Sequence, residues 1–171
     1  MSPPPNHDSF LQRLQRCVDD DRGMRASLRK YWSPATRHQA YPILGILGAL
    51  DDSRKCLLAA LYAEHPLHKD GFTVGKAALR LGDRSDGEHP FDRHFRRLLA
   101  AEKLGSVAAP GDLAHRLHRL AMRLSREAVP LDYHAVHQNL NHWSSWADRV
   151  KLGWASDFWQ SPPLAETSPE P

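Results

Sequence analysis

Cysteine is scarce in this 171-residue sequence: Cys17 and Cys56 are far apart, each inside a helical apolar pattern. A disulfide framework or a zinc ribbon is excluded, and reduced thiols at the core or its boundary are expected. Long apolar runs are missing too. The longest, Tyr41 to Leu50 (YPILGILGAL), is broken by Pro42 and two glycines and falls short of the ~20 residues a membrane-spanning helix needs. The start, MSPPPNHDSF, lacks a basic segment followed by an apolar one, so no export signal is expected and the cytoplasm is the expected compartment. The sequence also lacks HExxH, GxSxG and a complete Walker loop; VGKAAL (Val74 to Leu79) has the Gly-Lys pair without the other Walker glycine or the Ser/Thr. No catalytic residue, metal or cofactor is expected.

Strand-like alternation is absent as well, whereas helical periodicity runs almost throughout. With 41% hydrophobic residues, the chain can bury a core of its own. Phe10, Leu11, Leu14, Cys17 and Val18 follow the 3.6 period behind an N-cap expected at Asp8. A basic segment, Arg22 to Trp32, ends where Pro34 biases Ser33 away from helix. Helices are expected over Tyr41 to Leu50, from about Asp52 through Leu57, Leu58, Leu61 and Tyr62, and from a Thr73 cap to Gly82. After the polar run 82–90, a candidate lobe boundary, four more follow. One starts at Pro90 with Phe95, Leu98 and Leu99. The next carries Leu113, Leu117, Leu120 and Leu124. A third, capped by Asp132, carries Tyr133, Val136, Leu140 and Trp143, and the last places Trp146, Val150, Trp154 and Phe158 in one core register. Residues 1–9 and the proline-rich tail 161–171 read as disordered. The expectation is an all-α bundle of about eight to nine helices over residues 10–160, in one body or two packed lobes.

The charge is unevenly distributed. The chain is net +3, yet Asp92 to Arg126 holds eight Lys or Arg against three acids, so the remainder is slightly acidic. In LAHRLHRLAMRLSR (Leu113 to Arg126) the leucines Leu113, Leu117, Leu120 and Leu124 fall on one narrow arc, while Arg116, Arg119, Arg123 and Arg126 centre about 110° away. On the preceding helix Arg93, Arg96 and Arg97 stand clear of Phe95, Leu98 and Leu99 in the same way, so seven guanidiniums are expected to share a face. A solubility surface would interleave Glu at i, i+4. This one has almost no acid, and guanidinium forks suit phosphate better than ammonium groups do.

Other chemistry has weaker support. Eleven histidines include three i, i+3 pairs (His65 and His68, His115 and His118, His134 and His137), but no carboxylate or cysteine pattern completes a metal site. Nothing selects a pair for metal-independent ribonuclease chemistry, which stays as one alternative. A scaffold that turns its basic face to acidic protein partners is the other. Among the tryptophans, Trp143, Trp146 and Trp154 read as packing and Trp159, off their register, as the candidate for contact.

DRHFRRLLAAE (Asp92 to Glu102), LAHRLHRLAMRL (Leu113 to Leu124), VPLDY (Val129 to Tyr133) and RVKLGWASDFW (Arg149 to Trp159), in that order, resemble the CasB family, the small subunit of type I-E CRISPR Cascade complexes. RASLRK (Arg25 to Lys30) and GKAALRL (Gly75 to Leu81) resemble its earlier basic segments. The likeness covers about residues 10–160 and departs at Asn139, where the family leads one to expect an acid. It implies a non-enzymatic, all-helical antiviral-defence subunit, present as two copies beside other Cascade subunits. Such a subunit helps hold guide RNA and target strand and gives the displaced DNA strand a basic path, stabilising the R-loop. Carried over by position, the expected nucleic-acid contacts are Arg25, Arg29, Lys76, Arg80, Arg93, Arg96, Arg97, Arg116, Arg119, Arg123, Arg149 and Lys151.

Overall fold

Two of the three helix caps expected from sequence, Thr73 and Asp132, hold their helices, and Asp52 caps the helix expected to start near it. In the computed structural model, which describes residues 7–82 and 89–160, eight α-helices follow one another: α1 (His7–Asp20), α2 (Arg22–Arg29), α3 (Tyr41–Ile46), α4 (Ser53–Glu64), α5 (Val74–Leu79), α6 (Asp92–Ala100), α7 (Asp112–Glu127) and α8 (Tyr133–Phe158). Two 3-10 turns, Lys30–Trp32 and Arg37–Ala40, lie between α2 and α3. No strand occurs among the described residues, only isolated bridges. Asp52 accepts the backbone N–H groups of Arg54 and Lys55, Thr73 that of Lys76, and Asp132 that of Ala135, each satisfying donors that a helix start leaves unpaired. The acidic run after α1 does similar work, since Asp21 caps α2 through Met24 N–H.

Several expectations are corrected. α1 begins at His7, so Asp8 lies inside the helix rather than at its cap. α3 stops at Ile46, four residues short of Leu50, because Gly48 turns to φ +72°, a conformation that costs glycine little. The two helices expected at the end are both present within α8 and meet at a kink at Trp146, whose φ and ψ of −137° and 30° leave the helical region; what changes is the role of Trp146. The kink breaks the core register: Val150, Trp154 and Phe158 are buried, whereas Trp146 is 51% exposed. Most of the expected boundary at 82–90, together with residues 1–6 and the tail 161–171, lies outside the described residues.

Buried side chains form a continuous cluster from Phe10 in α1 to Phe158 in α8. α4 is its centre, with Cys56 to Ala63 buried without interruption, and its C-terminus is tied to the start of α8 by a buried polar network. His65 Nε2 donates to Val129 O at 2.6 Å, which leaves Nδ1 as acceptor, 2.9 Å from the Tyr133 hydroxyl. Burial pushes the His65 imidazole below its ordinary pKa, so it folds as a neutral ring.

α5 packs on α8 at very short range. A Cβ built on Gly75 would lie 2.3 Å from Trp154 O and 2.6 Å from Asp157 Cβ. Beside that contact Thr73 Oγ1 donates to Asp157 Oδ2 at 2.6 Å. Asn139, the departure noted in the sequence, accepts the Trp154 indole N–H at 3.0 Å, so a neutral amide oxygen serves the kinked helix here. Gly75→Ala therefore drives a methyl into backbone and is expected to destabilise the protein by at least about 1–3 kcal/mol. Gly153→Ala, on the open side of α8 where a Cβ meets nothing within 4 Å, is expected to stabilise by up to about 1 kcal/mol. Urea unfolding of the two variants checks the opposite signs, and equal effects would refute the close packing.

Candidate nucleic-acid interface

Helices α6 and α7 are in contact, and their apolar residues Phe95, Leu98, Leu113, Leu117, Leu120 and Leu124 are all buried, which leaves their basic residues outside the core. Between the helices opens a cleft of about 200 Å³ lined by Phe91, His94 and Leu98 from the α6 side and by Arg116, Arg119, Leu120, Met122, Arg123 and Arg126 from α7. Arg93 shares the adjoining hollow with His89, Pro90 and His94. The segment entering α6 is pinned: Phe91 N–H donates to His89 Nδ1 at 3.0 Å, so His89 Nε2 carries the proton and donates to Leu79 O at 2.9 Å.

His94, which the sequence reading passed over, reports the field in this cleft. Partial burial, followed by the charges of Arg97, Arg123, Arg116 and Arg119, holds its imidazole below the ordinary value. Four guanidiniums from two helices thus act on one ring. The signal was available in sequence: His94 stands three residues before Arg97 in DRHFRR, so one helical face carries both.

The expected contacts separate into distinct places. Arg93, Arg97, Arg116 and Arg119 form no ion pair among the described residues, and neither does Arg126, the further member of the stripe. Arg123 lines the cleft but is held by Glu127 at 2.6 Å, which also accepts Gly82 N–H at 2.7 Å. Arg96 leaves the group: its Nε lies 2.5 Å from Asp92 Oδ2, and its guanidinium sits 5.1 Å from the centre of the Trp159 ring. The seven-arginine face is therefore corrected by that one member. Arg25 and Arg29 lie on α2 against the end of α4, Arg25 donating to Ala63 O at 2.9 Å and Arg29 pairing with Glu64 at 3.3 Å. Lys76 and Arg80 line a separate hollow with Asp70, Gly71 and Phe72. Arg149 and Lys151 cover the rings of Trp146 and Trp143 at 4.9 and 5.6 Å.

The histidine pairs pack rather than converge. His118 stacks on Trp32 with centroids 3.9 Å apart and planes at 6°, and its Nε2 lies 3.7 Å from Glu64. His137 packs on Phe10. The nearest approach to a metal centre among the described residues is His68, Asp70 and His134. There Tyr133 N–H donates to His68 Nδ1 at 3.1 Å, which places the ring proton on Nε2, 3.0 Å from Asp70 Oδ1. A metal on Nε2 would need that proton moved to Nδ1, where it would confront a backbone N–H, so these residues do not fit a metal. Trp159, the expected contact residue, donates its indole N–H to Asp92 at 2.7 Å and remains 39% exposed.

The described residues thus form an all-helical body with a cationic cleft between two of its helices. The family described as CRISPR-associated protein Cse2 matches residues 24–159, and the chain belongs to it. Solved structures share the fold. CasB from Thermobifida fusca is 24% identical over 88% of this chain and 94% of its own, with a TM-score of 0.64. A Cse2-family CRISPR-associated protein from Thermus thermophilus is 22% identical over 94% of this chain and all of its own, at 0.69. A further structure, of CasB from Thermus thermophilus, is 24% identical over the same shares, at 0.66. No curated protein matches significantly.

The field at His94 makes a direct test of the site. A bound phosphate offsets the arginine charges, so it is expected to raise the His94 pKa, and by linkage anion affinity should increase as pH falls through the range in which this ring takes up its proton. Arg97→Gln should raise the same pKa without ligand, and Arg80→Gln, in the separate hollow, should not. Titration of the His94 ring proton by NMR reads all three; a pKa indifferent to Arg97→Gln would refute the shared field.

Proposed function

We propose that this protein is the non-catalytic small subunit of a type I-E CRISPR Cascade complex and stabilises the guide RNA–target DNA R-loop by sequence-independent contacts to nucleic-acid backbone, above all the displaced strand. The observation that carries this reading is the α6–α7 cleft, where Arg116, Arg119, Arg123 and Arg126 stand together beside His94. A strand holder that must accept any protospacer needs phosphate forks rather than readers of base edges. R-loop formation is nearly balanced in free energy, so a few backbone contacts suffice to shift it.

Arg93, Arg97, Arg116 and Arg119 are the principal phosphate contacts in this reading. Arg29, Arg96 and Arg123 contribute less, because a phosphate must displace Glu64, Asp92 or Glu127 from them. Arg25, Lys76, Arg80, Arg149 and Lys151 extend the basic surface or meet neighbouring subunits. Ile46 and Leu152, 66% and 69% exposed, are candidates for the apolar part of contacts with other Cascade subunits and with a second copy of the chain. Among the described residues no helix is long and apolar enough to cross a membrane, and the cytoplasm is the proposed compartment.

Fluorescence anisotropy of labelled single-stranded and duplex DNA against salt tests the reading. Wild type is expected to bind single strands of any sequence with a slope of about −0.7 per contacted phosphate. Charge reversal of Arg116, Arg119 and Arg123 to Glu should weaken binding on every sequence and flatten the slope by about 1.4 to 2, the loss of two full contacts and the lesser one at Arg123. Absence of single-strand binding at low salt, or a triple variant with wild-type affinity, would overturn it. Binding through a scaffold face would instead leave the R-loop stability of an assembled complex unchanged in the same variant.

A further inference from the structure

The α6–α7 cleft contains more than cations. The buried Phe91, Leu98 and Leu120 form its floor beneath the guanidiniums, with Met122 partly exposed beside them and the Phe91 ring 5.3 Å from the His94 ring at 31°. A groove for phosphate alone gains nothing from an apolar concavity, since phosphate needs donors and water. The concavity is also small. Its volume of about 200 Å³ is below the ~300–1,000 Å³ of pockets for drug-sized ligands and corresponds to roughly six or seven liquid waters at ~30 Å³ each. That is space for one flat ring system with its charged appendages outside, and the charges of matching sign stand at the rim. Aromatic rings and guanidinium planes both accept a base face without regard to its identity. The exposed His94 ring adds a flat polar edge between the guanidiniums and the apolar floor.

We propose that this cleft seats one unstacked base of a single DNA strand against Phe91, Met122 and the His94 ring, while Arg116, Arg119 and Arg126 hold the phosphates on either side of it. The inference rests on the phosphate-holding role proposed above and adds a physical basis for strand selectivity. In a duplex the bases are paired and stacked, so seating one there would require extruding it. A displaced strand offers its bases at far lower cost. The protein thereby distinguishes single from double strand without reading sequence.

The test uses the full-length protein and a 30-nucleotide strand of thymines carrying one 5-iodouracil. Irradiation joins the iodouracil ring to an adjacent aromatic or sulfur-containing side chain, and mass spectrometry locates the adduct. Adducts at Phe91, His94 or Met122 are expected. In parallel, anisotropy compares the thymine strand with an abasic strand of equal phosphate number. The abasic strand should bind at least about fivefold more weakly, and Met122→Trp, which fills the cleft, should remove that difference while keeping the salt slope. Adducts only at sites outside the cleft, such as the exposed Trp146, would overturn the base seat, as would equal affinity for the abasic strand. Either result with an intact salt slope leaves the phosphate role standing. Loss of single-strand binding altogether would overturn both.

Discussion

The close approach of α5 to α8 at Gly75 is the constraint on which the cationic cleft depends. With no side chain at that position, the α8 backbone comes within van der Waals contact of α5, and Thr73 can reach Asp157. This fixes the last turns of α8, which carry Phe158 and whose C-cap is Trp159. Phe158 stacks on Phe95 of α6 with centroids 4.1 Å apart, and Trp159 donates to Asp92 at the start of the same helix. α6, which packs on α7, is thus also braced from the end of α8, and it forms one wall of the cleft. A change at Gly75 would reach the arginines through three helices without touching any of them.

Electrostatics opposes this arrangement, and the distribution of acids shows how the fold tolerates it. Like charges on two packed helices repel, and physiological salt screens them effectively only beyond about 8 Å. Glu64, Asp92 and Glu127 each hold one guanidinium at the margin of the basic surface, with Arg29, Arg96 and Arg123 respectively. Arg123 lowers the Glu127 pKa, as does the Gly82 N–H, so this anchor stays ionised well into the acid range. The interior of the cleft has no such neutralisation among the described residues. Its field falls on His94, whose neutral state is the cheaper one there. A surface selected for stability alone would place acids among these arginines; their absence is a local cost consistent with a site that receives its anions from outside.

Much of this was legible in the sequence, for reasons that can be traced to particular residues. Asp52, Thr73 and Asp132 announced their helices because N-capping is local chemistry, decided within three residues. The leucine and arginine stripes of α7 were legible because a helix long enough to have two faces displays both in its periodicity. Trp146 was misplaced because the i, i+4 series assumes an unbroken helix, and the kink lies within the series itself. The departure of Arg96 depended on Trp159, 63 positions away, converging with Asp92 on the same guanidinium. No local pattern contains that information. His94 was passed over for another reason: a histidine among arginines matches no motif, and its meaning appears only once the facing helix supplies Arg116, Arg119 and Arg123.

The segment that makes the chain recognisable and the segment that does its proposed work are therefore different. In RVKLGWASDFW the buried Trp154 stacks on Trp143, Asp157 accepts from Thr73, Phe158 packs on Phe95 and Trp159 bonds to Asp92. Each of these contacts positions a helix. The charged residues of the cleft come instead from DRHFRR and HRLHRLAMRLSR, sequences that many solvent-facing helices could share. What turns two ordinary arginine-rich helices into a cleft is the packing of α6 on α7, braced by Phe158 and Trp159. The fold similarity to CasB structures at 22–24% identity accordingly supports the scaffold, whereas the case for the strand-holding site rests on the guanidiniums, the neutral imidazole and the apolar floor that the scaffold brings together.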